Sequence, residues 1–424
     1  MSKLEELIAE LCPNGVEYKK TSDLVRMSFW LMPATPRFME DGIPYITSKN
    51  VKNGVINFES AKYIDCEDFA EISKNRPICE GDMLITMIGT IGEVAIVKGN
   101  AKFYGQNLYL LRFDKSKIIT KYYYYFITSE KIRNSIISRK NPASQGYIKA
   151  GNIEDLQIPV PPLEVQEEIV RILDTFTELT AELTAELTAR KKQYEYYRDT
   201  LLTFDDNNPL HSLISRCCPN GVEYKNLKEL GSFFGGLTGK NKNDFVDGNA
   251  RYITYKNVYC NAAVDFSTND FVKVSDGEKQ NVLQYGDVIF TGSSETPDEC
   301  GFSSAVTCRL NEEVYLNSFC FAFRFNDVSM MNPDFSKYLF RSSALRSQIK
   351  RTANGVTRFN VSKALMSKVT IPVPTLEVQH QIVQILDRFD ALCNDLTQGL
   401  PAEIEARRKQ YEYYRNQLLT FKRA

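Results

Sequence analysis

The segment Arg190-Lys191-Lys192-Gln193-Tyr194-Glu195-Tyr196-Tyr197-Arg198 returns near the C-terminus, at 407–415, as Arg-Arg-Lys-Gln-Tyr-Glu-Tyr-Tyr-Arg. Seven consecutive letters, KQYEYYR, are identical in the two copies, and Leu-Leu-Thr-Phe follows each copy at 201–204 and 418–421. A repeat of this length indicates the architecture before any local pattern is considered. The chain is therefore predicted to contain two copies of one unit, each a globular block followed by a long helix.

Further matched segments extend the repeat over most of the chain. Cys-Pro-Asn-Gly-Val-Glu-Tyr-Lys occurs at 12–19 and 218–225, and its Pro-Asn-Gly favours a turn. Tyr-Ile-Thr-x-Lys-Asn-Val occurs at 45–51 and 252–258, and Ile-Pro-Val-Pro at 158–161 and 371–374. Gly81-Asp82 corresponds to Gly286-Asp287, and each pair opens an apolar run. The remaining block sequences diverge, so the two units are expected to share a scaffold and to present different surfaces.

Apolar residues in the two predicted helices follow a heptad seam. The first seam runs through Val165, Ile169, Ile172, Phe176, Leu179 and Leu183, and a stutter lies within the tandem Thr-Ala-Glu-Leu quartets at 180–187. The second seam, from Val378 to Ile404, contains four additional residues together with Gly399 and Pro401. A proline inside a helix removes a hydrogen bond, so a kink is expected near Pro401. Residues 122–138 are also predicted to form one helix, within the first block.

The predicted fold class is α+β, with two similar α/β domains and two long coiled-coil helices, related by a pseudo-twofold internal repeat. Four segments are predicted from the sequence. They are a first domain at 1–161 with an N-terminal helix at 3–11, a central long helix at 162–204, a second domain at 205–374, and a C-terminal long helix at 375–424.

Overall composition excludes several classes of protein. The chain has 424 residues and a net charge of −1, so an anionic partner must be bound by a local patch. No apolar run reaches membrane-spanning length and the N-terminus does not resemble a signal peptide, so a cytoplasmic protein is expected. Ten scattered cysteines without a C-x-x-C pair suggest reduced thiols. With two histidines, neither near a cysteine cluster, no metal site is predicted.

Catalytic motifs are weak. The segment Gly-Leu-Thr-Gly-Lys-Asn at 236–241 has the wrong spacing for a phosphate-binding loop. Asn-Pro-Asp-Phe at 332–335 faintly resembles the signature of adenine methyltransferases, but it is better interpreted as the first turn of a helix. Since no triad is recognisable either, no catalytic residue and no cofactor bound by this chain are predicted.

Two stretches are basic and free of acids, residues 131–153 and 335–376. A solvated helix face is the simpler interpretation of such a stretch. However, the same bias occurs at the same place in two diverged copies, which favours nucleic acid. The polar loops at 141–147 and 352–358 follow these stretches, and Asn, Gln and Arg side chains can pair with base edges. The residues predicted to contact DNA are Thr47, Lys49, Asn50, Thr90, Gln106, Asn107, Arg139, Lys140, Gln145, Tyr147, Lys149, Thr254, Lys256, Asn257, Ser293, Asn317, Lys350, Arg351, Asn354, Thr357, Arg358 and Asn360.

The tyrosines of the repeated element cannot all face one seam, because adjacent positions lie on different faces of a helix. Packing between helices and docking of another protein are both expected, since exposed Tyr and Arg often anchor interfaces. The predicted docking residues are Tyr194, Tyr196, Tyr197, Arg198, Tyr411, Tyr413, Tyr414 and Arg415.

This organisation resembles the specificity (S) subunit of Type I restriction–modification systems. The resemblance rests on the two diverged blocks, the long helices with their Gln-Tyr-x-Tyr-Tyr-Arg element, the quartets, and the Pro-Leu-Glu-x-Gln opening at 162–166, where Thr375 replaces the proline in the second copy. It implies that the two blocks are target-recognition domains separated by two long antiparallel coiled-coil helices, and that each domain reads one half of a split site in double-stranded DNA. It also implies partners, namely two methyltransferase (M) subunits that carry S-adenosylmethionine, and restriction (R) subunits. This chain itself would perform no chemistry.

Two alternatives belong to other classes. One is a self-contained DNA methyltransferase or nuclease with fused recognition domains, against which the missing cofactor motifs count. The other is a purely structural coiled-coil adaptor, against which the acid-free basic stretches count.

Overall fold

The structure is a computed structural model that describes residues 3–33, 36–99, 101–141, 146–395 and 398–424. The chain divides into two compact units. Unit 1 contains Met1–Thr184 together with Ile404–Ala424, and unit 2 contains Ala185–Glu403. Unit 1 therefore includes both ends of the chain, which the sequence did not suggest. The domain boundaries drawn from the sequence stay predictions.

The first half of the chain alternates short strands with short helices and ends in one long helix. Its elements are α1 (Lys3–Leu11), β1 (Tyr18–Lys20), β2 (Val25–Leu31), β3 (Phe38–Met39), β4 (Ile43–Ile46), β5 (Val51–Lys52), β6 (Val55–Ile56), β7 (Lys62–Ile64), α2 (Cys66–Ser73), β8 (Met83–Thr86), β9 (Val94–Ile96), β10 (Tyr104–Gly105), β11 (Leu108–Phe113), α3 (Thr120–Ile127), α4 (Glu130–Ser138), α5 (Gly151–Glu154), β12 (Gln157–Pro159) and α6 (Leu163–Leu201).

The second half follows a similar order, with no helix in the described residues between β16 and β17 and with two helices at its end. Its elements are α7 (His211–Cys217), β13 (Glu223–Asn226), α8 (Leu227–Leu230), β14 (Gly231–Gly235), β15 (Ala250–Ile253), α9 (Tyr255–Cys260), β16 (Phe271–Val272), β17 (Val288–Thr291), β18 (Ser293–Ser294), β19 (Ser303–Ala305), β20 (Val314–Leu316), β21 (Cys320–Phe325), α10 (Pro333–Leu339), α11 (Ser343–Lys350), β22 (Ala353–Asn354), β23 (Phe359–Val361), α12 (Lys363–Met366), β24 (Thr370–Val373), α13 (Leu376–Asn394) and α14 (Leu400–Leu418).

Each unit contains a four-stranded antiparallel sheet with the same order, β2-β11-β8-β9 in unit 1 and β14-β21-β17-β19 in unit 2. The central strands are apolar and almost completely buried, as expected for strands covered on both faces. The matched Gly-Asp pairs stabilise these sheets. Asp82 accepts two hydrogen bonds from Arg112 on β11, and Asp287 accepts two from Arg324 on β21.

Each unit also has a second sheet, which is built of shorter strands. In both units this sheet contains one parallel strand pair together with antiparallel pairing. Its order is β10-β4-β7-β3 in unit 1 and β16-β15-β20 in unit 2. The β4/β10 and β15/β20 pairs are parallel. The β4 and β15 strands come from the matched Tyr-Ile-Thr segment, so this sequence match marks the same strand in both units.

A buried glutamine fastens each block to the start of its long helix. The Gln166 amide is fully buried, accepts a hydrogen bond from Ile119 N at 2.9 Å, and donates to the carbonyl oxygens of Lys117 and Pro161. Gln379 does the same in unit 2, accepting from Asn332 N at 2.8 Å and donating to the backbone around it. The glutamine of the Leu-Glu-x-Gln opening therefore satisfies buried backbone groups that would otherwise be costly.

A hydrogen bond between a tyrosine and an aspartate also joins each block to its long helix, about two helical turns after the glutamine. Tyr125 on α3 donates its hydroxyl to Asp174, and Tyr338 on α10 donates to Asp387 at 2.5 Å. Burial raises the pKa of both tyrosines, so they stay protonated donors at neutral pH. On the part of α6 that belongs to unit 1, the completely buried apolar residues are Val165, Ile169 and Leu173. The third buried apolar position is therefore Leu173, whereas the predicted heptad seam has Ile172 as its third position.

The Leu-Leu-Thr-Phe that follows each repeated element explains why unit 1 includes the C-terminus. The Tyr18 hydroxyl, from the first Cys-Pro-Asn-Gly segment, donates to Phe421 O at 2.9 Å, and Val16 N donates to Lys422 O at 2.9 Å. In unit 2 the corresponding Tyr224 interacts with the backbone of Phe204. The two partners are close in sequence in unit 2 but come from opposite ends of the chain in unit 1.

The helix predicted at 122–138 is wrong as a single element. The structure contains α3 and α4, separated at Thr128 and Ser129. Both hydroxyls donate at 2.7 Å to carbonyl oxygens in the last turn of α3, and such local bonds compete with helix continuation. Ser342 makes the same break between α10 and α11, since its hydroxyl donates to Leu339 O at 2.7 Å.

Candidate DNA interface and docking surface

Three separate backbone segments of unit 1 converge at one end of the main sheet. They are the turn after β8, the turn before β11, and the hairpin after α4. Met87 N donates to Asn107 O at 3.4 Å, Ile148 N donates to Met87 O at 3.0 Å, and Ile88 pairs with Tyr147. Because these bonds join backbone to backbone, the three turns keep their relative positions whatever side chains they carry.

Unit 2 builds the same convergence with different residues. Gly292 N donates to Phe319 O at 2.7 Å, Val361 N donates to Gly292 O at 2.9 Å, and Ser293 on β18 pairs with Asn360 on β23. Asn107 and Phe319 therefore occupy equivalent positions, as do Tyr147 and Asn360. We name this arrangement the three-turn face, formed by residues 87–90, 106–107, 141 and 146–148 in unit 1 and by 292–295, 317–319 and 353–361 in unit 2.

Much of the predicted DNA-contacting set lies on the two three-turn faces. The residues brought together there are Thr90, Gln106, Asn107 and Tyr147 in unit 1, and Ser293, Asn317, Asn354, Thr357, Arg358 and Asn360 in unit 2. Thr90, Asn354, Thr357 and Asn360 are exposed, whereas Ser293 is buried beneath Arg358. Gln145 lies outside the described residues. The sequence thus located the face, and the role of each residue in DNA contact stays a prediction.

Asn50 and Asn257 are corrected from DNA contacts to scaffold residues, because both are buried and fully engaged inside their own unit. Asn50 accepts from Thr47 N at 2.8 Å and donates to Asn57 O at 3.0 Å. Asn257 donates to Asp265 O at 2.6 Å and accepts from Asp265 N at 3.1 Å. The matched Lys-Asn pair thereby fixes a turn. Thr47 and Thr254 are half-buried in that turn, while the neighbouring Lys49 and Lys256 are exposed.

The cations of the basic stretch at 335–376 are of two kinds. Some are bound to groups inside unit 2, and others are exposed without a carboxylate partner among the described residues. The Arg341 guanidinium donates to four backbone carbonyls, including Ser303 O at 2.8 Å, and burial lowers its pKa to about 10. Arg346 likewise donates to three carbonyls. Lys350 pairs with Asp298. Arg351 and Arg358 are exposed and, within the part of the chain that is described, have no carboxylate partner. The acid-free character of this stretch thus reflects internal carbonyl ligands as well as surface charge.

The corresponding stretch of unit 1 is more open. Arg139, Lys140 and Lys149 are all exposed and flank the hairpin that carries Tyr147. Arg133 is engaged elsewhere, since it pairs with Glu93 at 2.6 Å. Three cations therefore surround the three-turn face of unit 1, where they can reach phosphate oxygens.

In the repeated Tyr-x-Tyr-Tyr-Arg element, the structure separates an inward row of tyrosines from one outward tyrosine per copy. Tyr197 stacks on Phe389 in unit 2 with ring centroids 5.2 Å apart, and Tyr414 stacks on Phe176 in unit 1 at 5.4 Å. Tyr196 and Tyr413 lean edge-on against these stacked rings and stay 66% and 61% exposed. An exposed aromatic held by a packed neighbour is pre-organised to anchor a partner.

The remaining docking candidates face inward. Tyr194 contacts Tyr338 with ring centroids 6.5 Å apart, and Tyr411 contacts Phe176 at the same distance. Arg198 pairs with Asp199 at 3.1 Å, whereas Arg415 is buried and pairs with Glu412. Of the eight predicted docking residues, Tyr196 and Tyr413 are the most exposed and Tyr414 is 40% exposed, and their role in docking stays a prediction.

A groove of about 560 Å³, which no sequence motif indicated, lies beside the three-turn face of unit 2. Aromatic side chains of Tyr255, Tyr259 and Phe319 line it together with the carboxylates of Glu295 and Glu299. For two of these residues, comparison of the two copies of the repeat could have indicated a position on the face. Glu295 follows the buried Thr291 by four residues, as Thr90 follows Thr86, and Phe319 occupies the position of Asn107.

Among the described residues, no helix is both long and apolar enough to cross a membrane. Asn332 accepts a hydrogen bond from Asp334 N at the start of α10, so the Asn-Pro-Asp-Phe segment is the first turn of a helix, as expected.

Comparison with known proteins identifies the family. The sequence model of the Type I restriction modification DNA specificity domain matches residues 13–190 and again 219–406. The chain is 34% identical, over 73% of its length and 72% of the relative, to the Type I restriction enzyme EcoR124I/EcoR124II specificity subunit of Escherichia coli. It is 28% identical to a putative type I restriction enzyme specificity subunit of Haemophilus influenzae, over 76% of this chain and 77% of that one.

Solved structures show the same fold. An S subunit of a Type I restriction-modification system from M. genitalium covers 96% of this chain and 97% of its own with a TM-score of 0.51 at 14% identity. A chain from a study of complex assembly and conformational transition of the type I R-M system gives a TM-score of 0.64 at 15% identity, covering 96% and 98%. These matches do not support the alternative of a fused methyltransferase or nuclease. The chain belongs to the family of Type I restriction–modification specificity subunits, with two DNA specificity domains in tandem.

Proposed function

We propose that this chain is the sequence-specific DNA-binding subunit of a Type I restriction–modification complex, in which each unit reads one half of a bipartite site in double-stranded DNA. The observation that carries this proposal is the three-turn face, which is built twice by the same backbone hydrogen bonds. Because equivalent backbone hydrogen bonds join the three turns in each unit, both units present these turns to a duplex in the same way. Different side chains at Thr90 and Glu295, and at Asn107 and Phe319, give them different bases to read.

Charge supports the same assignment. The whole chain has a net charge of −1, so attraction to DNA must come from local cations. Exposed cations beside the faces, including Arg139, Lys140 and Lys149 in unit 1 and Arg351 in unit 2, are suited to phosphate oxygens. Phosphate contacts position the faces, and the polar side chains of the turns then read base edges.

Tyr196 and Tyr413 are the proposed anchors for two methyltransferase subunits, one on each copy of the repeated element. Their rings are exposed and fixed by the stacked tyrosines beside them. Methyl transfer and S-adenosylmethionine binding belong to those partners in this proposal, restriction subunits complete the nuclease, and the chain works in the cytoplasm. A matched control is Tyr224, which is 53% exposed in unit 2 but lies outside the repeated element. Tyr224→Ala is expected to leave methyltransferase binding unchanged.

The test is selection of bound duplexes from a random pool by the chain assembled with its methyltransferase subunit. The expected result is a motif with two specified halves separated by an unspecified spacer of constant length. Selection of one contiguous motif, or of no motif at salt concentrations that retain binding, would contradict the proposal. Methyl transfer by the purified chain without the partner would contradict the assignment of the chemistry to the methyltransferase subunit.

A further inference from the structure

The groove of unit 2 is lined by one cation, Arg358, and by two carboxylates, of which Glu299 accepts three internal hydrogen bonds and Glu295 accepts none among the described residues. Arg358 donates from Nε and Nη2 to a single neutral partner, the Ser293 hydroxyl, at 3.2 and 2.9 Å. Glu295 is exposed on the same groove and, among the described residues, has no cationic partner. The contrast with Lys350, which pairs with Asp298, shows that nearby charges of this unit do find partners. Two opposite charges thus face one space without neutralising each other.

Hydrogen-bonded neighbours hold both Arg358 and the turn of Glu295 in position. Ser293 is buried, and its β18 backbone pairs with Asn360, so the hydroxyl that receives Arg358 is fixed. The turn that carries Glu295 is closed by Glu299, which accepts hydrogen bonds from Tyr259 at 2.8 Å and from the hydroxyls on either side of Glu295. These bonds lower the pKa of Glu299 and keep it ionised. Glu299 is therefore a positioning residue, and Glu295 is the side chain presented to a ligand.

Phe319 forms a further wall of the groove. Its ring is 58% exposed, and the Arg358 guanidinium lies over it with 5.7 Å from Cζ to the ring centroid. An exposed ring that supports a guanidinium restricts the directions in which the guanidinium can donate. The equivalent position in unit 1 is Asn107, so this arrangement belongs to unit 2 alone among the described three-turn faces.

A pair of this kind matches one base pair in the major groove. Guanine presents two acceptors, N7 and O6, to which Arg donates, and the cytosine paired with it presents an amino group that a carboxylate accepts. No other base pair offers adjacent acceptors on one base and a donor on its partner in this way. We propose that unit 2 specifies a G·C pair in its half-site, with Arg358 reading the guanine and Glu295 the N4 amino group of the cytosine. This inference rests on the proposed function and adds the base pair and the second reading residue.

The test uses the complete chain assembled with its methyltransferase subunit and compares random-pool selections by five forms. These are the wild type, Arg358→Ala, Glu295→Gln, and two controls. Arg351→Ala removes an exposed cation of the same stretch that does not line the groove, and Glu223→Gln removes an exposed carboxylate on β13. Glu295→Gln keeps the size of the side chain but replaces one acceptor oxygen by a donor.

The expected result is that Arg358→Ala and Glu295→Gln both lose preference at the same G·C pair of one half, by roughly 5- to 140-fold each. The other half of the site keeps its sequence. Arg351→Ala weakens binding to all sequences alike, and Glu223→Gln selects the wild-type motif.

Several outcomes would overturn the inference while leaving the proposed function intact. They are a wild-type bipartite motif that both variants retain, changes at two different base pairs, or a uniform loss of affinity in the Arg358 and Glu295 variants. If the wild type selected no bipartite motif, the proposed function would fail and this inference with it. Since both side chains are exposed, loss of folding is not expected, and an unchanged thermal unfolding midpoint of each variant verifies this.

Discussion

Replacing Gln166 by Met tests the buried amide that joins the first block to its helix. Met has nearly the same length and shape as Gln but lacks the amide, so the change removes hydrogen bonds with little change in volume. Three backbone groups lose their partner, namely the buried Pro161 carbonyl and the partly buried Ile119 N–H and Lys117 carbonyl. An unsatisfied buried group costs about 1–3 kcal/mol. Allowing for some relaxation, unit 1 is expected to lose roughly 3–5 kcal/mol of its unfolding free energy.

The assay is denaturant and thermal unfolding, with hydrogen exchange to assign the loss to a unit, because two units need not unfold together. At about 2–4 °C per kcal/mol for a unit of this size, the midpoint falls by roughly 6–20 °C. Gln379→Met is expected to cause a similar loss in unit 2, since its contacts are the same.

Gln193→Met provides the matched control on the same helix. Its side chain is half-buried and accepts one hydrogen bond from Arg190 at 3.0 Å, so a change within about 0.5 kcal/mol is expected. Equal effects of Gln166→Met and Gln193→Met would refute the role assigned to the buried amide, as would a loss that hydrogen exchange places in unit 2.

Three further predictions concern pH, thiol chemistry and docking. The hydrogen bond from Arg171 holds the pKa of Glu168 at about 2, below its ordinary 4.5, so its contribution to stability is complete above that ordinary pKa and lost as the pH falls toward the lower value. Glu168→Gln should flatten this acid loss in circular dichroism titrations, and an unchanged slope would contradict it. Burial raises the pKa of Cys320 to about 12, so alkylation at pH 8 followed by mass spectrometry should label the exposed Cys66 and leave Cys320 unmodified until the protein unfolds. Tyr413→Ala should weaken binding of the methyltransferase subunit by about tenfold or more in calorimetry, and undiminished affinity would remove this ring from the interface.

Much of the architecture could be predicted because the same short sequence segments occur, in the same order, in both halves of the chain. The matched Tyr-Ile-Thr segments mark β4 and β15, and the matched Gly-Asp pairs open β8 and β17. Repetition at two places in one chain is visible without knowing any contact. One of the three turns of each face, the turn after β8 or β17, follows a strand that the matched Gly-Asp pair marks.

What the sequence could not reveal depends on contacts between distant residues. Nothing in the local pattern near Tyr18 indicates that Phe421 is its partner, so the inclusion of the C-terminus in unit 1 was missed. Arg341 belongs to the basic stretch at 335–376, and its burial could not be predicted because its hydrogen-bond partners are backbone carbonyls, which every residue has. Asn50 was assigned to DNA for the same reason, since its partners lie inside its own turn.

The measurement that tests the central claim most directly is half-site mapping with one pair of alanine variants in each unit. Thr90→Ala with Asn107→Ala alters the three-turn face of unit 1, and Asn354→Ala with Asn360→Ala alters that of unit 2. Each doubly substituted chain is assembled with the methyltransferase subunit and used to select from a random duplex pool. Each pair is predicted to relax the sequence of one half only, and the two pairs are predicted to affect different halves. Relaxation of the same half by both pairs, or an equal loss of affinity for all sequences, would contradict the assignment of one half-site to each unit.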